Sequence, residues 1–167
     1  MKTLVGNFSK QLAEALEIGK NAPLAKHSKE IKNVLICGLG GSGIGGSIVS
    51  ELVIGEANVP INLSKGYFIP AYINENSLVI ISSYSGNTEE TISSFELALK
   101  KNAKVVCVAS GGKIAETAKA KNLDLISIPA GMPPRACLGY SLTQLFFILG
   151  FNGGIKNDLI ADLQSAI

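Results

Sequence analysis

An α/β domain built on a parallel sheet is what this sequence predicts, and three features predict it. Short apolar runs alternate with segments of helical period, the pattern that successive βαβ units produce. The runs are apolar at consecutive positions rather than at every second one, as in strands covered on both faces. The overall balance agrees, with 47% hydrophobic and 17% charged residues. That composition excludes a disordered chain, and 167 residues fit one domain with a sizeable core.

The elements follow in order. Residues 7–21 read as a helix, because Phe8, Leu12, Ala15, Leu16 and Ile18 recur at helical spacing between Lys and Glu. Residues 33–37 are an apolar strand ending in glycines, and residues 42–54 a helix. A weak second strand covers 60–63 and a strong third covers 78–82. The helix over 87–101 carries Ile92, Phe95, Leu97 and Leu99. A strand at 104–109, a short helix at 113–121 and a strand at 123–128 come next. Residues 134–149 form the last long helix. Between 138 and 151 the chain is apolar nearly all round, so it needs cover on both sides, and a second copy in a homodimer is expected to supply some of it. Asn152-Gly-Gly154 breaks that helix, and an amphipathic segment, 156–167, ends the chain.

Five strands joined by right-handed crossovers predict a three-layer, flavodoxin-like sandwich with strand order 2-1-3-4-5. Its switch point lies between strands 1 and 3, and ligands bind there at the carboxyl ends. The loops richest in Gly and Ser follow those two strands.

Other totals narrow the function. Net charge is +2 with no basic stripe, which argues against a nucleic-acid partner. The three cysteines, Cys37, Cys107 and Cys137, lie in apolar runs without a C-x-x-C pair, which suits a reducing compartment. The amino terminus lacks the apolar run of a signal peptide, and no stretch reaches the ~20 apolar residues of a membrane span. A cytoplasmic protein without a membrane partner is expected.

Two loops carry candidate chemistry. Gly38-Leu-Gly-Gly-Ser-Gly-Ile-Gly-Gly46 contains G-x-G-x-x-G between a strand and a helix. A dinucleotide site also needs an acidic residue at the tip of the second strand, where this chain has Asn62-Leu-Ser-Lys65. A nucleotide P-loop fails too, because no Gly-Lys-Ser/Thr follows. Close packing of helix on strand accounts for Gly45 and Gly46, and less well for Gly40, Gly41 and Ser42 at the helix mouth. The second loop, Ser83-Tyr-Ser-Gly-Asn-Thr88, places hydroxyls at 83, 85 and 88 around a glycine and opens into a helix. A phosphate ester carries about −1.5 to −2 charges and needs several donors. Free N–H groups and the positive dipole end of a helix offer them. Plain capping by Asn87 or Thr88 needs only one such residue, not Ser83 and Ser85 as well.

A third segment is Met132-Pro-Pro-Arg-Ala-Cys-Leu-Gly-Tyr140. Pro134 suits a first helical turn, where the dipole disfavours the charge of Arg135. That cation either faces an anion or sits in a surface ion pair. His27, the single histidine, falls in a polar linker outside every motif, and Cys137 has no histidine beside it in sequence. No metal site is expected.

Together these segments resemble the sugar isomerase (SIS) superfamily. Residues 83–91 are similar to its phosphate loop and residues 38–46 to its first-strand loop. Residues 133–140 resemble a narrower group, the bifunctional phosphoglucose/phosphomannose isomerases. The resemblance runs from about residue 5 to 150. It implies that Gly41, Ser42, Ser83, Ser85 and Thr88 bind the phosphate of a sugar phosphate. It implies that Arg135 is catalytic, stabilising an enediolate as glucose 6-phosphate or mannose 6-phosphate interconverts with fructose 6-phosphate. No cofactor and no metal is implied. Members of that group have two SIS domains, and the base glutamate and an assisting lysine come from the second. A histidine that opens the sugar ring comes from a neighbouring subunit. The expectation is therefore an SIS domain over 1–152, preceded by its N-terminal helix, with 153–167 leading toward an absent second domain. Such a chain binds sugar phosphate without isomerising it alone. A non-catalytic SIS module that senses sugar phosphates is the alternative.

Overall fold

The computed structural model describes residues 6–155 and 158–165. The first five residues, to which the amino-terminal expectation refers, lie outside them, as do 156–157 and 166–167 of the closing segment. Five strands form one parallel sheet: β1 (Asn33–Cys37), β2 (Ile61–Ser64), β3 (Ser77–Ser82), β4 (Lys104–Ala109) and β5 (Asp124–Ser127), in the order β2-β1-β3-β4-β5. The predicted topology is the observed one. The helices are α1 (Phe8–Lys20), α2 (Gly40–Leu52), α3 (Glu89–Lys100), α4 (Gly112–Ala120), α5 (Leu138–Phe151) and α6 (Asp158–Ser165), with a 3-10 turn at Pro134–Ala136.

Strand composition follows position in the sheet. Central β3 is buried at every residue. Edge strand β2 is half exposed, at Asn62 and Leu63 above all, and this is why its sequence reads weakly. Alternate residues face opposite layers. Val34, Ile36, Leu78, Ile80, Val106 and Val108 pack with residues of α1, α2 and α5. Leu35, Cys37, Val79, Ile81, Val105 and Cys107 pack with those of α3 and α4. The result is the expected three-layer sandwich.

Helix α5 finds its cover within the chain. It packs against α1 and α2, with β4 and α6 touching it as well. Gln144 Nε2 donates to the Ala15 carbonyl at 2.8 Å, and Tyr140 Oη to Glu14 Oε2 at 2.5 Å. Helix α1 thus covers one side of α5 within the chain, and the apolar circumference of α5 does not by itself require a second copy. Among the described residues, no helix is long and apolar enough to cross a membrane.

Candidate functional site

Four loops meet at the carboxyl ends of the strands, around the switch point between β1 and β3. The first, after β1, passes into α2 earlier than its sequence indicates. The helix begins at Gly40, so Gly41 and Ser42 lie in its first turn. The backbone N–H groups of that turn have no partner within the helix, and no side chain caps it. Close approach explains the glycines at the ends of G-x-G-x-x-G. A methyl on Gly38 would come within 2.8 Å of the Ser82 carbonyl oxygen, and one on Gly43 within 2.7 Å of the Gly38 oxygen. Gly46 lies tight on Ile36 and Leu63, at 3.0 and 3.1 Å, as helix-on-strand packing requires. Gly45 has only ordinary contacts at 3.5 Å and beyond, so packing does not demand a glycine there.

The second loop turns tightly after β3. The Gly86 N–H donates to the Ser83 carbonyl at 3.1 Å, and Gly86 adopts φ +68°. Any Cβ there would overlap the Gly111 carbonyl oxygen. Ser83 is 2% exposed, and its Oγ lies 3.1 Å from Thr88 Oγ1. Ser85 Oγ accepts the Asn87 N–H at 3.2 Å. Helix α3 starts at Glu89 with Thr88 at its N-cap position, yet no side chain caps it. Of the two residues offered as caps, Thr88 is engaged with Ser83 and Asn87 Oδ1 accepts the Lys113 N–H, and the N–H groups of the first turn stay open.

The loops are fastened together by Tyr84. Its N–H donates to Ser42 Oγ at 3.3 Å. Its carbonyl accepts both the N–H and the Oγ of Ser110, at 3.0 and 2.6 Å. Its Oη accepts the Met132 N–H at 3.0 Å. Burial pushes the phenol up from its ordinary pKa, so it stays protonated at neutral pH.

The third candidate segment differs from its sequence reading. Pro134 does not open the long helix. It starts a separate 3-10 turn, and α5 begins only at Leu138. Arg135 therefore precedes the first turn of α5 rather than occupying it. It is exposed and forms no ion pair among the described residues. Among the described residues the surface ion pair offered as its plain explanation does not form. Its turn lies against the mouth of α2, since a methyl on Gly41 would sit 3.2 Å from the Pro134 oxygen. The structure thus brings Gly41, Ser42, Ser83, Ser85 and Thr88 to one crevice, with the Arg135 turn on its rim.

Other polar groups behave differently. Glu89 and Glu90 lie in the first turn of α3 beside Tyr67, whose phenol is pushed up mainly by the Glu90 charge. His27 is half-buried rather than free in a linker, with Nε2 2.8 Å from the Glu75 carbonyl at the amino end of the sheet, away from the crevice. All three cysteines are buried, and burial pushes Cys37 and Cys107 up to about 12. No group of three or more His, Cys, Asp or Glu among the described residues could hold a metal. Two cavities, of about 400 and 490 Å³, lie elsewhere, next to Asn58 and Val59.

Sequence reasoning named Tyr84 only as a member of its loop, without the bonds that fasten the others, and missed Ser110 and Lys65 as parts of this region. Lys65 donates to Ser47 Oγ on α2 at 2.9 Å. Ser110-Gly111-Gly112 after β4 repeats the Ser/Gly character of the two loops that were singled out, and that signal could have found Ser110.

Comparison with known proteins agrees with this geometry. No family model matches the chain. It is 44% identical over 149 residues to a bifunctional phosphoglucose/phosphomannose isomerase of Caldicellulosiruptor bescii, covering 87% of this chain and 44% of that protein. It is 39% identical over 142 residues to the protein of that name from Aquifex aeolicus, covering 84% of this chain and again 44% of the relative. The chain thus spans less than half the length of these curated relatives. Among solved structures, a Clostridium difficile 630 protein assigned as a phosphosugar isomerase superposes with a TM-score of 0.75 at 18% identity, over 99% of this chain and 50% of that one.

Proposed function

Since the chain belongs to the sugar isomerase (SIS) superfamily and its relatives are bifunctional phosphoglucose/phosphomannose isomerases, we propose that its crevice forms the phosphate-binding part of an aldose–ketose isomerase site. One observation carries the reading. Two uncapped helix starts, those of α2 and α3, converge with the Ser83, Ser85 and Thr88 hydroxyls at the switch point of a parallel sheet. Open N–H groups, a positive dipole end and small hydroxyls are what a dianionic phosphate ester requires. Gly41 and Ser42 supply first-turn contacts from α2, and Ser83, Ser85 and Thr88 close the cradle from the other loop.

Arg135 supplies the second function. Interconverting glucose 6-phosphate or mannose 6-phosphate with fructose 6-phosphate moves a proton between C2 and C1 through an enediolate. That step needs a base and a cation beside the developing oxyanion. Arg135 is exposed, forms no ion pair among the described residues and stands on the turn at the rim of the phosphate cradle, so its cation is available for the second task. The base is not placed among the described residues, since Glu89 and Glu90 lie beside Tyr67 in the first turn of α3. The role of residues 1–152 is then to bind and orient the phosphorylated sugar, with the base supplied from elsewhere. The reading calls on no cofactor.

Calorimetric titration with fructose 6-phosphate tests the proposal. The 167-residue chain is expected to bind saturably, with inorganic phosphate competing, and to show no turnover in a coupled isomerase assay. Ordinary turnover by this chain overturns the division of labour. Absence of competition by phosphate overturns the cradle.

A further inference from the structure

Among the described residues, Tyr84 is the one member of the crevice whose bonds reach all the other loops. Its backbone holds Ser42 of the first loop and Ser110 of the third, and its hydroxyl holds the Met132 N–H of the segment that carries Arg135. On its far side the same segment has local bonds, from Ala136 N–H and Cys137 Sγ to the Pro133 carbonyl, and one tertiary bond, from Gln11 of α1 to the Ala136 carbonyl, so Tyr84 is its tie on the side of the phosphate loop. Tyr84 stands between Ser83 and Ser85, so an anion that draws in those hydroxyls acts on its backbone directly. The ring is half-buried, which restricts its freedom, and the hydroxyl moves with the loop.

We infer that Tyr84 is a positioning residue that transmits phosphate occupancy of the 83–88 loop to the Arg135 turn. The inference rests on the phosphate reading above and adds a consequence to it. The phosphate group fixes the substrate, and through Tyr84 it also sets the rim on which the oxyanion stabiliser stands. A structural tie would lower stability when removed. A transmitting tie also uncouples two responses to the same ligand.

Amide hydrogen exchange on the whole chain, with inorganic phosphate and then fructose 6-phosphate as probes, separates these roles. In the unmodified protein, phosphate is expected to slow exchange at 83–88 and, at least about tenfold, at 132 and 135–136. Tyr84→Phe removes the acceptor and keeps the ring. Met132→Pro removes the donor and leaves Tyr84 intact. In each variant the 83–88 loop is expected to keep its protection while the Arg135 turn loses it. Retention of ligand-induced protection at the turn in either folded variant overturns the inference, as does a turn that never responds in the unmodified protein although the loop does. If neither segment responds to either probe, the phosphate reading falls and the inference with it.

Discussion

Gly86→Ala puts the greatest strain on the phosphate loop for the smallest chemical change. Two costs add. At φ +68° an L-residue with a Cβ sits in the left-handed region, which costs about 1–2 kcal/mol. The new methyl must also displace the Gly111 carbonyl, a backbone atom held in the turn that starts α4, and such overpacking costs about 1–3 kcal/mol. The backbone on both sides is tied, since the Gly86 carbonyl accepts the Ile114 N–H at 3.0 Å, so relaxation has little room. The sum is about 2–5 kcal/mol, or a fall in Tm of roughly 6–15 °C for a chain of this size. Gly40 supplies the control. It has φ +58° but no atom within 4 Å of its would-be Cβ. Gly40→Ala therefore carries only the conformational cost, about 1–2 kcal/mol and roughly 3–6 °C. Thermal unfolding of both variants by circular dichroism measures the difference. Equal destabilisation of the two would refute the claim that the loops after β3 and β4 are interlocked at Gly86.

Ser83→Ala removes one hydroxyl of the Ser83–Thr88 pair. It is expected to weaken fructose 6-phosphate binding about tenfold or more in calorimetry, the cost of one hydrogen bond to a charged group, with little change in Tm. Arg135→Ala is expected to leave stability within about 0.5 kcal/mol, because the residue is exposed and forms no ion pair among the described residues, and to leave affinity for inorganic phosphate unchanged. In the same variant, affinity for an enediolate-like aldonate phosphate is expected to fall, and an unchanged aldonate affinity would remove Arg135 from the chemistry. Alkaline titration has a defined sign. Folding raises the Cys37 and Cys107 pKa values from 9.0 to about 12, chiefly by burial, so the folded state holds protons that the unfolded chain releases. Stability from these thiols is full below pH 9 and is lost as pH rises toward 12, which urea unfolding at stepped pH measures. Both thiols are also expected to resist iodoacetamide at pH 8 until the chain unfolds.

The sheet was legible because burial on both faces writes itself into composition. The run 78–82 could be little else, and the order of strands followed from right-handed crossovers between runs that alternate with helices. Boundaries near the site were less legible. Residues 40–41 are glycines, which give no helical period, so the two residues by which α2 starts early left no trace in the pattern. Pro134 fits the first turn of a 3-10 helix as well as that of an α-helix, so the break before Leu138 could not be seen. The fate of α5 depended on tertiary contact. An apolar circumference demands cover, but only the α1–α5 hydrogen bonds of Gln144 and Tyr140 tell that the cover is intramolecular. For the site, residue type and spacing indicated Ser83, Ser85 and Thr88. That the first and last of these face each other instead of capping α3 is a matter of geometry, and so is the role of Tyr84, whose bonds run to residues up to 48 positions away.

The central claim is that a sugar phosphate sits with its phosphate between the starts of α2 and α3. Mapping amide chemical shifts during titration with fructose 6-phosphate tests it most directly. Saturable shifts concentrated at 41–42 and 83–91, abolished when Ser83 and Thr88 are both replaced by alanine, are the predicted result. Shifts confined to the cavities beside Asn58 and Val59, or none at saturating ligand, would contradict the account.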